Sequence, residues 1–110
     1  MENHVLNMEE GLNRTAPCSF QKGAIRVDGV LTLARHQLCF EPYSKSSPFG
    51  PYGIGMSQVV AVEPCWGKGA GILPITPDGM QLSLANKENY QFIAADIDEW
   101  IALIQAELHQ

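Results

Sequence analysis

The sequence predicts a mainly-β domain of about seven antiparallel strands followed by one C-terminal α-helix. From Pro17 onward, short apolar runs alternate with period two. Gly, Pro, Asn and Asp clusters break these runs roughly every 8–12 residues, the spacing of turns between short strands. Beyond Ala94 the period becomes that of a helix. At 110 residues and 45% hydrophobic content, the chain is sized for one core and one domain.

Residues 1–16 are mostly polar. Val5, Leu6, Met8 and Leu12 recur at spacings that suit an arm or a short amphipathic helix, so the folded domain is expected over 17–110. The first strand is expected over Cys18 to Ile25. A hairpin then joins Gly29–Ala34 to Leu38–Pro42 through Arg35-His36-Gln37, with Leu31, Leu33, Leu38 and Phe40 directed to a common core. Ser44 to Gly53, rich in turn formers, reads as the longest loop. A strand over Ile54–Val62 ends near Pro64, and Trp66 to Gly71 supplies a glycine-rich connection. Ile72–Thr76 and Met80–Leu84 are expected to flank a hairpin turn at Pro77-Asp78-Gly79, since Pro presets φ and Gly accepts a positive φ. Tyr90–Ala94 makes the last strand.

Ile97, Trp100, Ile101, Ile104 and Leu108 fall at i, i+3, i+4, i+7 and i+11, one apolar stripe of a helix. Asp96 is the expected N-cap, and Glu99 three residues later completes a capping-box pattern. Trp100 belongs to the stripe and is expected in the core.

Several short strands followed by a helix carrying a Trp resemble the pleckstrin-homology superfold, and more closely the GRAM family. The resemblance rests on Gly29 to Phe40, on Ile54 to Glu63, and on Pro77-Asp78-Gly79 followed by an aromatic strand and the helix. It covers about Cys18 to Leu108. It implies a strongly bent sheet, or partly open barrel, with the helix plugging one end, and a module that binds proteins or membrane lipids.

Composition bounds the partners. Twelve acidic residues against seven Lys and Arg give a formal charge of −5, the wrong sign for general attraction to nucleic acid, so no nucleic-acid partner is expected. The basic residues form no polybasic run of the kind that docks proteins on anionic membranes. No apolar stretch approaches the ~20 residues of a spanning helix. The N-terminus lacks the basic flank and apolar segment of a secretory signal, and Cys18, Cys39 and Cys65 are an odd number of isolated thiols. A cytoplasmic chain, able to lie peripherally on a membrane, is expected.

Motifs for catalysis are missing from the pattern. Gly67, Gly69 and Gly71 around Lys68 match neither phosphate-loop signature, and Ser57, Ser83, His36 and Asp78 form no nucleophile elbow or triad motif. His36-x-x-Cys39 lacks the converging partners a tetrahedral zinc requires. We therefore expect no enzyme activity, no metal and no cofactor.

Two binding sets remain. Phe49, Tyr52 and Trp66 lie in loops and would form an aromatic patch for a protein partner or for a second copy. Lys22 and Arg26, read as sharing strand parity, would join Arg35 around the first hairpin to grip an anionic headgroup such as a phosphoinositide. The preferred reading is a protein-interaction or adaptor domain, self-association included, which uses the aromatics or an open sheet edge. The peripheral lipid-binding module is the alternative.

Overall fold

The computed structural model describes residues 12–69 and 73–109. Its strands are β1 (Leu12–Lys22), β2 (Ile25–Ala34), β3 (Gln37–Pro42), β4 (Tyr52–Gly55), β5 (Val59–Gly69), β6 (Leu73–Leu84) and β7 (Asn89–Ile93), and α1 (Ile97–Leu108) follows. All neighbouring strands run antiparallel, in the order β4-β3-β2-β1-β7-β6-β5. The mainly-β architecture with one terminal helix is the one the sequence predicts.

Alternation explains the core. Phe20, Leu31, Leu33, Leu38, Phe40, Met80, Leu82 and Phe92 point to one side of the bent sheet and are buried. The apolar stripe of α1 meets them there: Ile97, Trp100, Ile101 and Ile104 are buried, and Trp100 is 0% exposed. Burying each such side chain contributes roughly 1.5–3 kcal/mol, which is why the helix docks on the sheet instead of fraying.

Turn length fixes the register of the first hairpin. Gly23, at φ +58°, takes the first central position of a two-residue turn and so pairs Lys22 with Ile25 and Gln21 with Arg26. The hairpin therefore begins well before Gly29. Residues 1–11, most of the expected arm, lie outside the described residues, while 12–16, counted with that arm, are the start of β1.

Three further expectations change. The single strand over Ile54–Val62 is two, because a 3-10 turn at Met56–Gln58 buries Met56 and separates β4 from β5. Pro77-Asp78-Gly79 is no hairpin turn; β6 runs straight through it. The β5–β6 pairing steps from Cys65↔Gly79 to Gly67↔Thr76, leaving Trp66 alone opposite Pro77 and Asp78 as a β-bulge. Asp78 N–H donates to Thr76 Oγ1 at 3.2 Å, so the turn chemistry is spent on a local kink. Consequently Trp66 to Gly69, expected as a loose connection, are the end of β5.

Asp96 is the N-cap residue of α1 as expected, and its carbonyl accepts the Glu99 and Trp100 N–H groups, but its side chain takes no part in the cap. Its backbone is left-handed at φ +58°, and its side chain makes no cap hydrogen bond. Arg14, from the far end of β1, reaches Glu99 at 2.6 Å and Asp96 at 3.4 Å and lies 5.3 Å from the centre of the Trp100 ring. Both carboxylates of the expected capping box thus serve a long-range ion pair.

Candidate functional site

The three basic residues do not converge. Lys22 pairs with Ile25 and shares the face of Phe20, whereas Arg26 pairs with Gln21 and faces the other side of the sheet. The equal parity of their numbers does not survive the turn. Arg35 sits in the β2–β3 turn, nine residues further along; at about 3.3 Å per residue, that is on the order of 30 Å from Arg26. Lys22 lines a recess of about 340 Å³ with Phe20, Tyr52, Glu88, Asn89 and Tyr90. Glu88 offsets its charge there. Partial burial first, then Glu88 and Tyr52, push the Tyr90 phenol up, so the recess holds a neutral hydroxyl.

The aromatic set is also divided. Tyr52 lies 5.0 Å from Phe20 and 5.3 Å from Tyr90 between ring centres, inside an aromatic cluster. Phe49 packs on the same core. Trp66 alone of the three is mainly exposed, at 53%. Among the described residues the other exposed large apolar side chains are Val60 at 63%, Tyr43 and Ile25.

On the outer face, a ladder of amides crosses three strands. Gln21 Nε2 donates to Gln91 Oε1 at 2.9 Å, and Gln91 Nε2 donates to Gln81 Oε1 at 2.7 Å. Gln21 is only 3% exposed. The ribbon beyond the Trp66 bulge covers it: Gln21 Nε2 also reaches the Trp66 carbonyl at 3.4 Å, and a Cβ built on Gly67 would stand 2.9 Å from Ile93 Cδ1. This polar seam stitches β1, β7 and β6 together and is structural.

Two larger recesses remain. One, of about 840 Å³, opens where the part of β1 before Ser19 stands unpaired from β7, beside Arg26, Asp28, Tyr43 and Asp78. At its rim the Cys18 thiol is pushed up to about 12, chiefly by burial, and is inert as a nucleophile near neutral pH. The other, of about 710 Å³, runs between the start of β5 and the end of α1 and is lined by His36, Met56, Val59, Val60, Glu107 and Leu108 among others. It lies beside an edge of the sheet, since among the described residues β5 has no neighbour but β6. Pro64 in β5 fits such an edge, since it has no N–H to give to a neighbouring strand. Among the described residues no group of three or more His, Cys, Asp or Glu is arranged to hold a metal.

No protein-family model matches the chain, and no curated protein matches it. Solved structures do. It is similar to the C-terminal domain of an unknown protein from Leishmania infantum, at 12% identity and TM-score 0.71, over 99% of this chain and 94% of that one. It is similar to the pleckstrin homology domain of human KIAA0053 protein, at 9% identity and TM-score 0.67, over 91% of each chain. The C-terminal PH domain of human FYVE, RhoGEF and PH domain containing protein 3 matches at 12% identity and TM-score 0.66, over 91% of this chain and 90% of that one. The chain therefore has the pleckstrin-homology-like fold, a bent seven-stranded antiparallel sheet with one C-terminal helix.

Proposed function

We propose that this chain is a non-catalytic, GRAM-type binding module that docks a protein partner, in the manner of a cytoplasmic adaptor. One observation carries the choice of partner class: Lys22, Arg26 and Arg35 are spread over two faces and two ends of the first hairpin. A phosphorylated headgroup binds tightly only where several cations converge on its oxygens. The fold meanwhile leaves Val60 and Trp66 exposed on an edge strand, the kind of surface that proteins use to receive one another. Among the described residues no helix is long and apolar enough to cross a membrane.

Vesicle flotation separates this reading from lipid binding. With vesicles containing phosphatidylserine and a phosphoinositide, the chain is expected to float no more than with neutral vesicles, and Lys22→Glu, Arg26→Glu and Arg35→Glu together are expected to change nothing. Strong flotation that this triple variant abolishes would transfer the chain to the peripheral membrane class. Sedimentation at rising concentration tests self-association in the same samples.

A further inference from the structure

Beyond partner docking, we infer that the outer-face recess of about 840 Å³ binds a small zwitterion, an α-amino acid with an apolar side chain. Strand alternation assembles its charges. Arg26 and Asp28 lie two residues apart on β2, so both side chains stand on the outer face, with Cα atoms roughly 6.6 Å apart. Ser19, opposite Asp28, is followed across the sheet by Ile93 and then Gly79, and the bulge opposite Trp66 sets Asp78 beside them. Ala94 N–H donates to the Asp78 carbonyl at 3.1 Å, which holds this part of β6 at the end of β7. The fold thus brings Arg26, Asp28 and Asp78 to one recess from strands far apart in the sequence.

None of these three charges is spent inside the protein. Among the described residues ion pairs join Arg14 to Asp96 and Glu99, whereas Arg26, Asp28 and Asp78 have none. Ser19 Oγ donates to Asp28 Oδ1 at 2.6 Å and Thr76 Oγ1 donates to Asp78 Oδ2 at 3.1 Å, so each carboxylate is oriented by one oxygen and offers the other. A simple anion on Arg26 would meet two carboxylates, and a simple cation on the carboxylates would meet Arg26. A ligand of both signs satisfies all three: its carboxylate takes the planar fork of Arg26, and its ammonium takes the aspartates. An α-amino acid carries the two charges about one carbon, which suits the short Arg26–Asp28 spacing.

The rest of the lining sets the side chain. Pro17, Ile93, Ala94 and Ala95 give the recess an apolar floor, and exposed Tyr43 stands on its rim. An aliphatic group laid on this floor leaves water without stranding a polar atom. Arg14 and Asp96 also line the recess, but paired with each other they add no net charge to it. The volume falls within the roughly 300–1,000 Å³ of small-ligand pockets.

The test uses the intact chain and free L-leucine at neutral pH, followed by amide NMR. With about nine heavy atoms and partly hydrated charges, leucine should bind with a dissociation constant on the order of 1 mM. Its shifts are expected to centre on Ser19, Arg26–Asp28, Asp78 and Ala94–Ala95. N-acetyl-L-leucine lacks the ammonium and L-leucine methyl ester lacks the carboxylate, so each should bind at least about tenfold more weakly. Arg26→Gln should weaken leucine by at least about tenfold while leaving the methyl ester unchanged, and Lys22→Gln should change neither. All three residues of the charge set stand in exposed positions, so the melting temperature of Arg26→Gln should match the parent. Equal binding of either modified leucine, full affinity in Arg26→Gln, an equal loss in Lys22→Gln, shifts centred on the Lys22–Tyr52 recess, or absence of any shift at tens of millimolar leucine would each overturn the site.

Discussion

Replacing Trp100 with Ala tests how the helix is held. The indole is fully buried in the stripe that joins α1 to the sheet, and Arg14 lies over its ring. Its removal leaves a cavity that neighbours on a β scaffold fill poorly, so the expected cost is about 3–5 kcal/mol. A domain of this size has roughly 5–15 kcal/mol in total. At about 4 °C per kcal/mol, the melting temperature should fall by roughly 12–20 °C. Trp100→Phe separates the contributions. Among the described residues the Trp100 Nε1 proton has no acceptor, so Phe removes an unsatisfied donor while restoring most of the apolar volume. It should cost less than about 1.5 kcal/mol. Thermal and urea unfolding followed by circular dichroism measure both. A melting temperature within about 3 °C of the parent for Trp100→Ala, or equal losses for the two variants, would refute the role given to the ring.

Other predictions address the sheet. A Cβ at Gly29 would overlap the Glu41 carbonyl oxygen and stand 2.8 Å from Pro42 Cα, so Gly29→Ala should force β2 and β3 apart. We expect a loss of about 1–3 kcal/mol in urea unfolding; a neutral result would contradict that register. Gln91→Leu breaks both bonds of the amide ladder beside the buried Gln21, with an expected loss of about 1–3 kcal/mol. Loss-free replacement would mean that the seam is dispensable. For Cys18 the folded pKa of about 12 exceeds the ordinary thiol value of 9.0. The stabilisation is therefore complete below about pH 9 and is lost as pH rises toward 12, at up to about 1.4 kcal/mol per pH unit. Cys18→Ala should flatten that alkaline decline relative to the parent; an unchanged slope would place its cause elsewhere.

Much of the scaffold was legible because one face of the sheet is buried and period-two patterning reports it directly, as at Leu31, Leu33, Leu82 and Phe92. The stripe from Ile97 to Leu108 was equally plain. Features set by distant partners were not. Asp96 and Glu99 read as a cap because nothing local reveals Arg14, more than 80 residues away in the chain. Pro77-Asp78-Gly79 carries turn chemistry, yet it kinks a strand because Trp66 stands opposite it.

The candidate site was less legible than the fold. Lys22 and Arg26 were joined by counting parity across a turn whose two-residue length reverses it. Tyr52, placed in a loop by its Pro and Gly neighbours, belongs to the aromatic core. Val59-Val60-Ala61-Val62 is a continuous apolar run with no signal in it for the bulge that leaves Val60 exposed.

Amide hydrogen exchange on the free chain tests the open edge most directly. Fast exchange is expected at Val62 and Val60 beside slow exchange at Ala61 and Glu63, which pair with β6. Uniform protection from Val60 through Glu63 would mean that the edge is already occupied, and the docking surface proposed for it would not exist.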